Sequence, residues 1–268
     1  MMKKYTAFIY SLVLIAFIAS CNPSKKDSNG IRTTIENEIR TIPLEIHEVY
    51  KLDEQGSDSP ALTIDIMLSV LEANDNSATE NMNRTIAYTL FESETSDLSA
   101  ACNTFTANCR SEYSELRSDY INRRENAPFF NNYYNISSEI TNGYNGILNY
   151  LIFNEIYTGG AHPNSFYTAL NFDPSTGEEI VLDDILKNDY ETRLTQELLV
   201  ALADHFKVSP VTEIVVQGYL INDFYISNNF ILGKDKITFI YNRYDIAPYA
   251  AGEIMLDIEY KNIKDILK

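Results

Sequence analysis

The feature that most constrains this chain is a long amphipathic helix predicted between Asp97 and Arg124. Its inward residues recur at steps of three and four, which is the period of one helix face. Asp97 is a suitable N-cap residue, and Pro128 ends the segment. A helix with one apolar face must bury that face, so we expect it to lie on a sheet. The predicted stripe consists of Leu98, Cys102, Phe105, Cys109, Glu112 with Tyr113, Leu116 and Tyr120.

This helix also decides whether two cysteines can pair. Cys102 and Cys109 are separated by about 10.5 Å along a continuous helix, whereas a disulfide needs Cα atoms within about 7 Å. We therefore expect two buried free thiols. The alternative is that the polar residues between Asn103 and Asn108 break the helix, in which case an oxidising compartment would link the pair. Two cysteines without a nearby histidine do not suggest a metal site.

Alternating apolar residues predict that most of the remaining chain forms strands. A first strand includes Leu44, Ile46 and Val49, and a second spans Ala61–Leu71 with its aliphatic side chains on one face. The stretch Thr85–Phe91 fits either a third strand or the end of a helix that begins near Ser77. Further strands are predicted over Tyr133–Ile140, Ile147–Tyr157, Ser165–Phe172, Glu179–Leu182, Tyr225–Leu232, Ile237–Tyr241 and Ile254–Ile258.

Two more helices complete the predicted fold. One runs from about Asp183 to Phe206 with an interruption near Asn188, and a short last helix starts at Lys261. The pattern predicts an α+β fold, in which antiparallel sheet packs against helices. We expect two related sub-domains in one compact body.

The N-terminus is typical of a secreted protein. Lys3 and Lys4 precede an apolar run from Ala7 to Ala19, which is the composition of a signal peptide. The run is too short to serve as a membrane span, which needs about 20 apolar residues. The sequence Ile18-Ala19-Ser20-Cys21 resembles the lipobox of bacterial lipoproteins.

This resemblance implies cleavage before Cys21 and attachment of a diacylglycerol to its thiol. Residues 1–20 are then a lipoprotein signal peptide, and residues 21–40 are a flexible tether. We expect a protein that is held at the membrane by lipidated Cys21, in the bacterial cell envelope, on the periplasmic face or the outer surface. Several acyl chains anchor a protein stably where one would be marginal.

The charge of the chain limits the partners that it can bind. Its net charge is -17, and removal of residues 1–20 leaves 19 basic against 38 acidic residues. Nucleic acid is excluded as a partner because phosphates require clustered Lys and Arg. Acidity favours a basic partner, or serves solubility alone.

Two motifs in the second half indicate a family. The first is Tyr157–Ser165 (YTGGAHPNS), followed by Asn171-Phe172-Asp173 and Gly177, and the second is Asp245–Gly252 (DIAPYAAG). They resemble the hallmarks of the PdaC-like and RsiV-like domain pair. This pair occurs in the ectodomain of a lysozyme-sensing anti-sigma factor, beside some peptidoglycan deacetylase domains, and alone in lipoproteins. The resemblance implies a PdaC-like N-terminal domain over 41–160 and an RsiV-like C-terminal domain over 161–268.

The motifs supply the candidate site residues. We expect His162, Asn164 and Tyr249 to contact a ligand, and Tyr249 to pack beneath the predicted hairpin so that the two motifs meet. Backbone roles fall to Gly159, Gly160, Pro163, Pro248 and Gly252. Glycine permits positive φ in a tight turn, and the residue before a proline is held extended.

The same residues favour binding over catalysis. His47, His162 and His205 are widely separated, and no known catalytic or phosphate-binding motif is present. We therefore expect no catalytic residue, no metal and no cofactor. The predicted function is a lipid-anchored envelope protein that binds or senses a ligand, with a basic lysozyme-like hydrolase as the first candidate.

Two alternatives stay open. The first is a peptidoglycan- or glycan-binding protein, because the tyrosines that are dense between Tyr133 and Tyr167 could stack on sugar rings. Tyrosine is also a favoured strand residue, which explains the same density without a ligand. The second is a hydrolase or deacetylase built around His162 with Glu155 and Asp173 beside it.

Replacement of the lipobox cysteine tests the anchor. Cys21→Ser removes the thiol that would receive the lipid, so the protein should leave the membrane fraction or stall before processing. The measurement is incorporation of labelled fatty acid and partition between membrane and soluble fractions. Fatty acid that still enters the substituted protein would contradict the assignment.

Overall fold

The computed structural model describes residues 39–53, 58–73 and 76–268. The predicted signal peptide, Cys21 and the tether up to residue 38 lie outside these ranges. The described residues form an α+β fold with one sheet of five strands and one of three. This confirms the fold class that the sequence predicts.

The five-stranded sheet has its strands in chain order from one edge to the other. The strands are β1 (Arg40–Lys51), β2 (Ala61–Glu72), β3 (Asn132–Asn142), β4 (Leu148–Tyr157) and β5 (Asn164–Phe172). Neighbours are antiparallel except β2 and β3, which run parallel. Nothing in the strand pattern predicts this parallel pair. It arises because the chain crosses the sheet through helices between these two strands.

Three helices form that crossover: α1 (Asn76–Phe91), α2 (Leu98–Glu115) and α3 (Arg117–Asn122). Helix α1 settles the ambiguity over Thr85–Phe91 in favour of helix. Asp97 caps α2 as predicted, since its carboxylate accepts a hydrogen bond from the Ala100 N–H at 3.0 Å. The predicted single helix is divided at Leu116, and residues 124–130 continue as a 3-10 helix that contains Pro128.

The helices cover one face of the sheet and bury its aliphatic residues. Leu62, Ile64, Ile66 and Leu68 of β2 are all at most 2% exposed. They pack with the inward stripe of α2, in which Leu98, Cys102, Cys109 and Tyr113 are buried. The residues that alternation identifies in β2 and those that the helical period identifies in α2 therefore form one hydrophobic core.

The three-stranded antiparallel sheet consists of β6 (Phe230–Leu232), β7 (Lys236–Tyr241) and β8 (Ile254–Glu259). Helix α5 (Glu191–Phe206) buries Leu194, Leu198 and Leu202 against it. The short α4 (Leu182–Ile185) and α6 (Glu213–Val216) complete this part. The break between α4 and α5 agrees with the interruption that was predicted near Asn188.

Three predicted elements differ in the structure. Strand β6 begins only at Phe230, because the Ser227 hydroxyl donates to the Ile240 carbonyl and replaces ladder pairing there. The predicted strand at Glu179 reduces to one bridge with Phe172 before α4 starts. The predicted last helix is a single 3-10 turn over residues 260–262.

Asparagine side chains join the two sheets. The Asn171 amide donates to the Phe230 carbonyl and accepts from the Leu232 N–H, at 2.8 and 2.9 Å. Asn149 donates to the Leu232 carbonyl at 3.1 Å. Gly143 lies so close that a Cβ atom there would stand 1.9 Å from the Leu232 oxygen.

The predicted domain boundary at 160/161 falls inside the β4–β5 hairpin, so β5 lies in the sheet of the preceding segment.

The described ranges contain no helix that is long and apolar enough to cross a membrane.

Cys102 and Cys109 are both buried and unbridged, which confirms the prediction of two free thiols. Burial raises the pKa of the Cys102 thiol to about 12 and that of Cys109 to about 11. Both thiols are therefore protonated and unreactive at neutral pH.

Alkylation of these thiols tests the packing of α2. At pH 8, native protein should react with iodoacetamide far more slowly than an unfolded chain, whose cysteine pKa is about 8.5. Denatured but unreduced protein should gain both adducts by intact mass. A mass that corresponds to a linked pair would contradict the continuous helix.

Candidate functional site

The first of the two sequence motifs forms the turn between β4 and β5. Gly159 and Gly160 have φ values of +101° and +111°, a region that favours glycine because it has no Cβ. The Tyr157 hydroxyl donates to the Gly160 carbonyl at 2.9 Å and holds the turn closed. This confirms the predicted positive φ and places His162 at the exposed tip of the hairpin.

The second motif lies in the connection from β7 to β8. Asn242 fixes this loop to the edge of β5, because its side chain accepts from the Tyr167 N–H and donates to the Tyr167 carbonyl, at 2.7 and 3.0 Å. Ile246 and Ala247 are buried in the core below. Gly252, at φ +73°, turns the chain into β8. The loop is thus held beside the hairpin of the other sheet.

The two motifs meet through an aromatic stack. The rings of His162 and Tyr249 have centroids 3.8 Å apart and planes 26° apart. The Tyr249 hydroxyl donates to the Pro163 carbonyl at 3.3 Å, and His162 Nδ1 lies 3.0 Å from the same oxygen. The prediction that Tyr249 packs beneath the hairpin is therefore confirmed.

A guanidinium and a carboxylate complete this contact. Arg243 lies 4.6 Å from the centroid of the Tyr249 ring, and its Nη1 donates to the Tyr249 hydroxyl at 2.8 Å. Arg243 Nε forms an ion pair with Glu253 at 3.2 Å, and the Ser165 hydroxyl donates to the same carboxylate at 2.8 Å. These contacts lead from β5 to the loop between β7 and β8 and back to the hairpin, so they form a closed ring. We call the residues that make them the motif ring: His162, Pro163, Ser165, Arg243, Tyr249 and Glu253.

The motif ring borders the side of the five-stranded sheet that faces away from the helices. Side chains alternate across a strand, so the partners of the buried residues project from this second side, which we call the open face. Tyr133 and Tyr157 stack there with centroids 5.9 Å apart. Burial, and then the nearby Glu155 carboxylate, raise the pKa of Tyr133. These aromatic rings and the Glu155 carboxylate extend the site beyond the motif ring.

Asn164 has a different position from the other two candidates. It is exposed at the first residue of β5, opposite Ile156, and it stands two positions from His162. It takes no part in the stack, and because side chains alternate along a strand it projects from the face opposite to that of Ser165. The structure therefore places Asn164 near His162 in the chain but gives it no contact with the motif ring.

The structure contradicts the constellation of His162, Glu155 and Asp173. Asp173 follows the far end of the nine-residue β5, about 30 Å from the hairpin. Its carboxylate accepts from the Ser175 hydroxyl at 2.6 Å and from the Ser175 N–H at 2.8 Å, which lowers its pKa. It is a turn residue with no access to His162, so the three cannot share a substrate.

The other two histidines are also remote from the site. His47 of β1 pairs with Asp65 of β2, and His205 lies in the last turn of α5, where the helix dipole favours a cation. Within the described ranges, no group of three His, Cys, Asp or Glu side chains could hold a metal ion.

Sequence reasoning missed three members of the motif ring, namely Ser165 as a hydrogen-bond donor, Arg243 and Glu253. Arg243 and Glu253 carry opposite charges and flank the Asp245–Gly252 motif on its two sides. That arrangement was a usable signal for an ion pair across the loop. Their contacts with β5 depend on tertiary packing, which no local pattern contains.

Fold and site together define a two-sheet α+β protein with a surface site between a hairpin and a neighbouring loop. Residues 183–261 match a family model described as a protein of unknown function, DUF3298. This match includes the second motif and the whole three-stranded sheet. No curated protein matches the chain.

Two solved structures share the fold. A DUF3298 family member from Bacteroides fragilis NCTC 9343 is 28% identical, with a TM-score of 0.77 over 86% of this chain and 94% of that one. A DUF3298 family protein from Pseudomonas aeruginosa PAO1 is 18% identical, with a TM-score of 0.61 over 86% of this chain and 95% of that one. At that identity the second likeness concerns the fold alone. The chain is thus similar to DUF3298 proteins over nearly their whole length.

Proposed function

We propose that this protein is a lipid-anchored cell-envelope protein that binds or senses a ligand without chemistry of its own. The observation that supports this most is the meeting of two distant motifs in the motif ring, where His162 stacks on Tyr249. Loops on a rigid scaffold are the usual place for ligand contacts. The PdaC-like and RsiV-like pairing and the anchor at Cys21 belong to this proposal.

The ligand that fits the surface best is a basic protein. Glu45, Asp65, Glu139 and Glu155 project from the open face among apolar side chains such as Met67, which is 57% exposed. A whole-chain charge of -17 has the sign that attracts a cationic partner. Because the sequence motifs resemble those of a lysozyme-sensing ectodomain, a lysozyme-like hydrolase is the first candidate.

A specific observation also favours a glycan as the second candidate. Tyr133 and Tyr157 form a stacked pair on the open face beside the motif ring. Both rings are partly exposed, and aromatic faces with a carboxylate such as Glu155 nearby can stack on sugar rings and bind their hydroxyls. Peptidoglycan fragments are therefore the appropriate competing ligand.

Calorimetry against a lysozyme-type hydrolase tests the proposal. We expect Tyr249→Ala and His162→Ala to weaken binding at least tenfold, because they remove the aromatic contacts at the centre of the site. Glu155→Lys should slow association and reduce its salt dependence, since charge complementarity acts mainly on encounter.

The matched control is Glu80→Lys, the same charge change at an exposed position of α1 on the helix side of the sheet. It should leave binding unchanged, and melting curves should show that every variant is folded. If no heat is seen with hydrolases and peptidoglycan fragments bind instead, the glycan candidate replaces the protein. Cleavage or deacetylation of peptidoglycan by the pure protein would overturn the binding proposal.

A further inference from the structure

A second surface, separate from the motif ring, lies along the outer edge of β1. Two adjoining hollows of about 560 and 440 Å³ run between β1 and α2. Both are lined by Tyr50, Arg110 and Ser114, so they form one elongated groove. We call it the β1–α2 groove. One of its walls is a strand edge and the other is a helix face.

The strand edge has free hydrogen-bonding groups. Within the described residues, β1 is the last strand of its sheet and pairs only with β2. Pro43 has no N–H and lies opposite Ser69, whose own N–H donates to the Ser138 hydroxyl, away from β1. The pair Pro43–Ser69 is therefore not hydrogen-bonded across the ladder. Hydrogen-bonded and non-hydrogen-bonded pairs alternate along an antiparallel ladder. Residues 45, 47, 49 and 51 therefore also direct their backbone N–H and C=O groups away from β2, toward the open edge.

The groove is cationic although the protein is acidic. Its lining includes three cations, Lys51, Arg110 and Arg117, and one carboxylate, Glu48, at the end beside the smaller hollow. None of the three cations forms an ion pair of 4.0 Å or less with a described residue. Arg110 lies over the Tyr50 ring, 4.6 Å from its centroid. The neighbouring Arg123 and Arg124, by contrast, are each paired with an aspartate. The groove thus presents more positive charge than its one lining carboxylate can neutralise.

The spacing of these cations suits an added strand. Arg110 and Arg117 are seven residues apart along α2 and α3, about 10.5 Å. Side chains on one face of a strand repeat about every 6.8 Å. Carboxylates two or four positions apart on a strand beside β1 would therefore come within reach of both long arginine side chains.

An unsatisfied polar group marks the same groove. Thr106 of α2 is only 3% exposed and lines the smaller hollow, and its Oγ1 has no hydrogen-bond partner. A buried hydroxyl normally has a partner, so an orphan beside a groove points to an absent one. This observation is independent of the charges and of the strand edge.

We propose that the β1–α2 groove binds an extended acidic peptide segment, which adds to the sheet as a strand antiparallel or parallel to β1. Main-chain hydrogen bonds to the outward groups of β1 hold the backbone, and alternate carboxylates meet Arg110 and Arg117. The occupant is an acidic peptide because three cations against the single carboxylate of Glu48 leave the lining with an excess of positive charge.

Fluorescence anisotropy with the full-length protein in nonionic detergent tests this. The probe is a labelled octapeptide of alternating Val and Glu. We expect saturable binding, at least tenfold weaker for Arg110→Glu and for Arg117→Glu. Arg84→Glu is the matched control, an exposed arginine of α1 outside the groove, and it should bind like the native protein.

Two further peptides separate strand addition from charge attraction without any change in the protein. A Val–Lys peptide should not bind, because its charge has the wrong sign. A Val–Glu peptide that is N-methylated on alternate residues keeps the charge but loses the main-chain donors, so it should bind at least tenfold more weakly. Equal binding of the methylated and unmodified peptides would overturn strand addition. So would the absence of saturable binding, or light scattering that shows the edge closed by a second copy of this chain.

Discussion

The carboxylate of Glu253 is the contact on which the candidate site depends. It accepts a hydrogen bond from the Ser165 hydroxyl of β5 and forms an ion pair with the Arg243 guanidinium, which lies in the loop between β7 and β8. The Arg243 guanidinium in turn lies over the Tyr249 ring, and the Tyr249 ring stacks on that of His162. If the carboxylate were lost, Arg243 would keep its contacts with Tyr249 but would lose its ion-pair partner, so the guanidinium that supports the aromatic stack would no longer be held by Glu253.

The carboxylate can act in this way only because the two sheets are rigidly joined. Asn149 and Asn171 replace missing backbone partners for β6, and the small Gly143 lets the backbones approach closely. A three-stranded sheet with a strand as short as β6 has little stability alone, so it depends on packing against α5 and on this joint. The exposed loops are therefore held by elements whose own positions are fixed by buried polar contacts.

Local periodicity predicted much of this fold. The alternation in β2 and the helical stripe of α2 each identify a buried face, and they also exclude a disulfide between Cys102 and Cys109. The parallel pair β2–β3 was not predictable in the same way, because strand order depends on where the helices send the chain. The contacts of Asn149 and Asn171 with β6 were not predictable either, because a polar residue in a strand pattern usually indicates a solvent-facing position.

The candidate site was predicted in part. His162 and Tyr249 were identified from their motifs, and the structure brings them together as expected. The prediction that Asp173 lies beside His162 was wrong, because the extended strand β5 separates the two residues. The sequence contained a signal for the ion pair between Arg243 and Glu253, but their link to Ser165 of β5 required the three-dimensional position of the loop between β7 and β8.

A double-mutant cycle between Ser165→Ala and Glu253→Ala tests the central contact most directly. The free energy of unfolding is measured for the native protein, both single variants and the double variant. Because a buried hydroxyl donates to a carboxylate across the two sheets, the account predicts a coupling energy of about 1 kcal/mol or more. Additive effects within about 0.3 kcal/mol would mean that the two side chains do not interact, and would contradict the account.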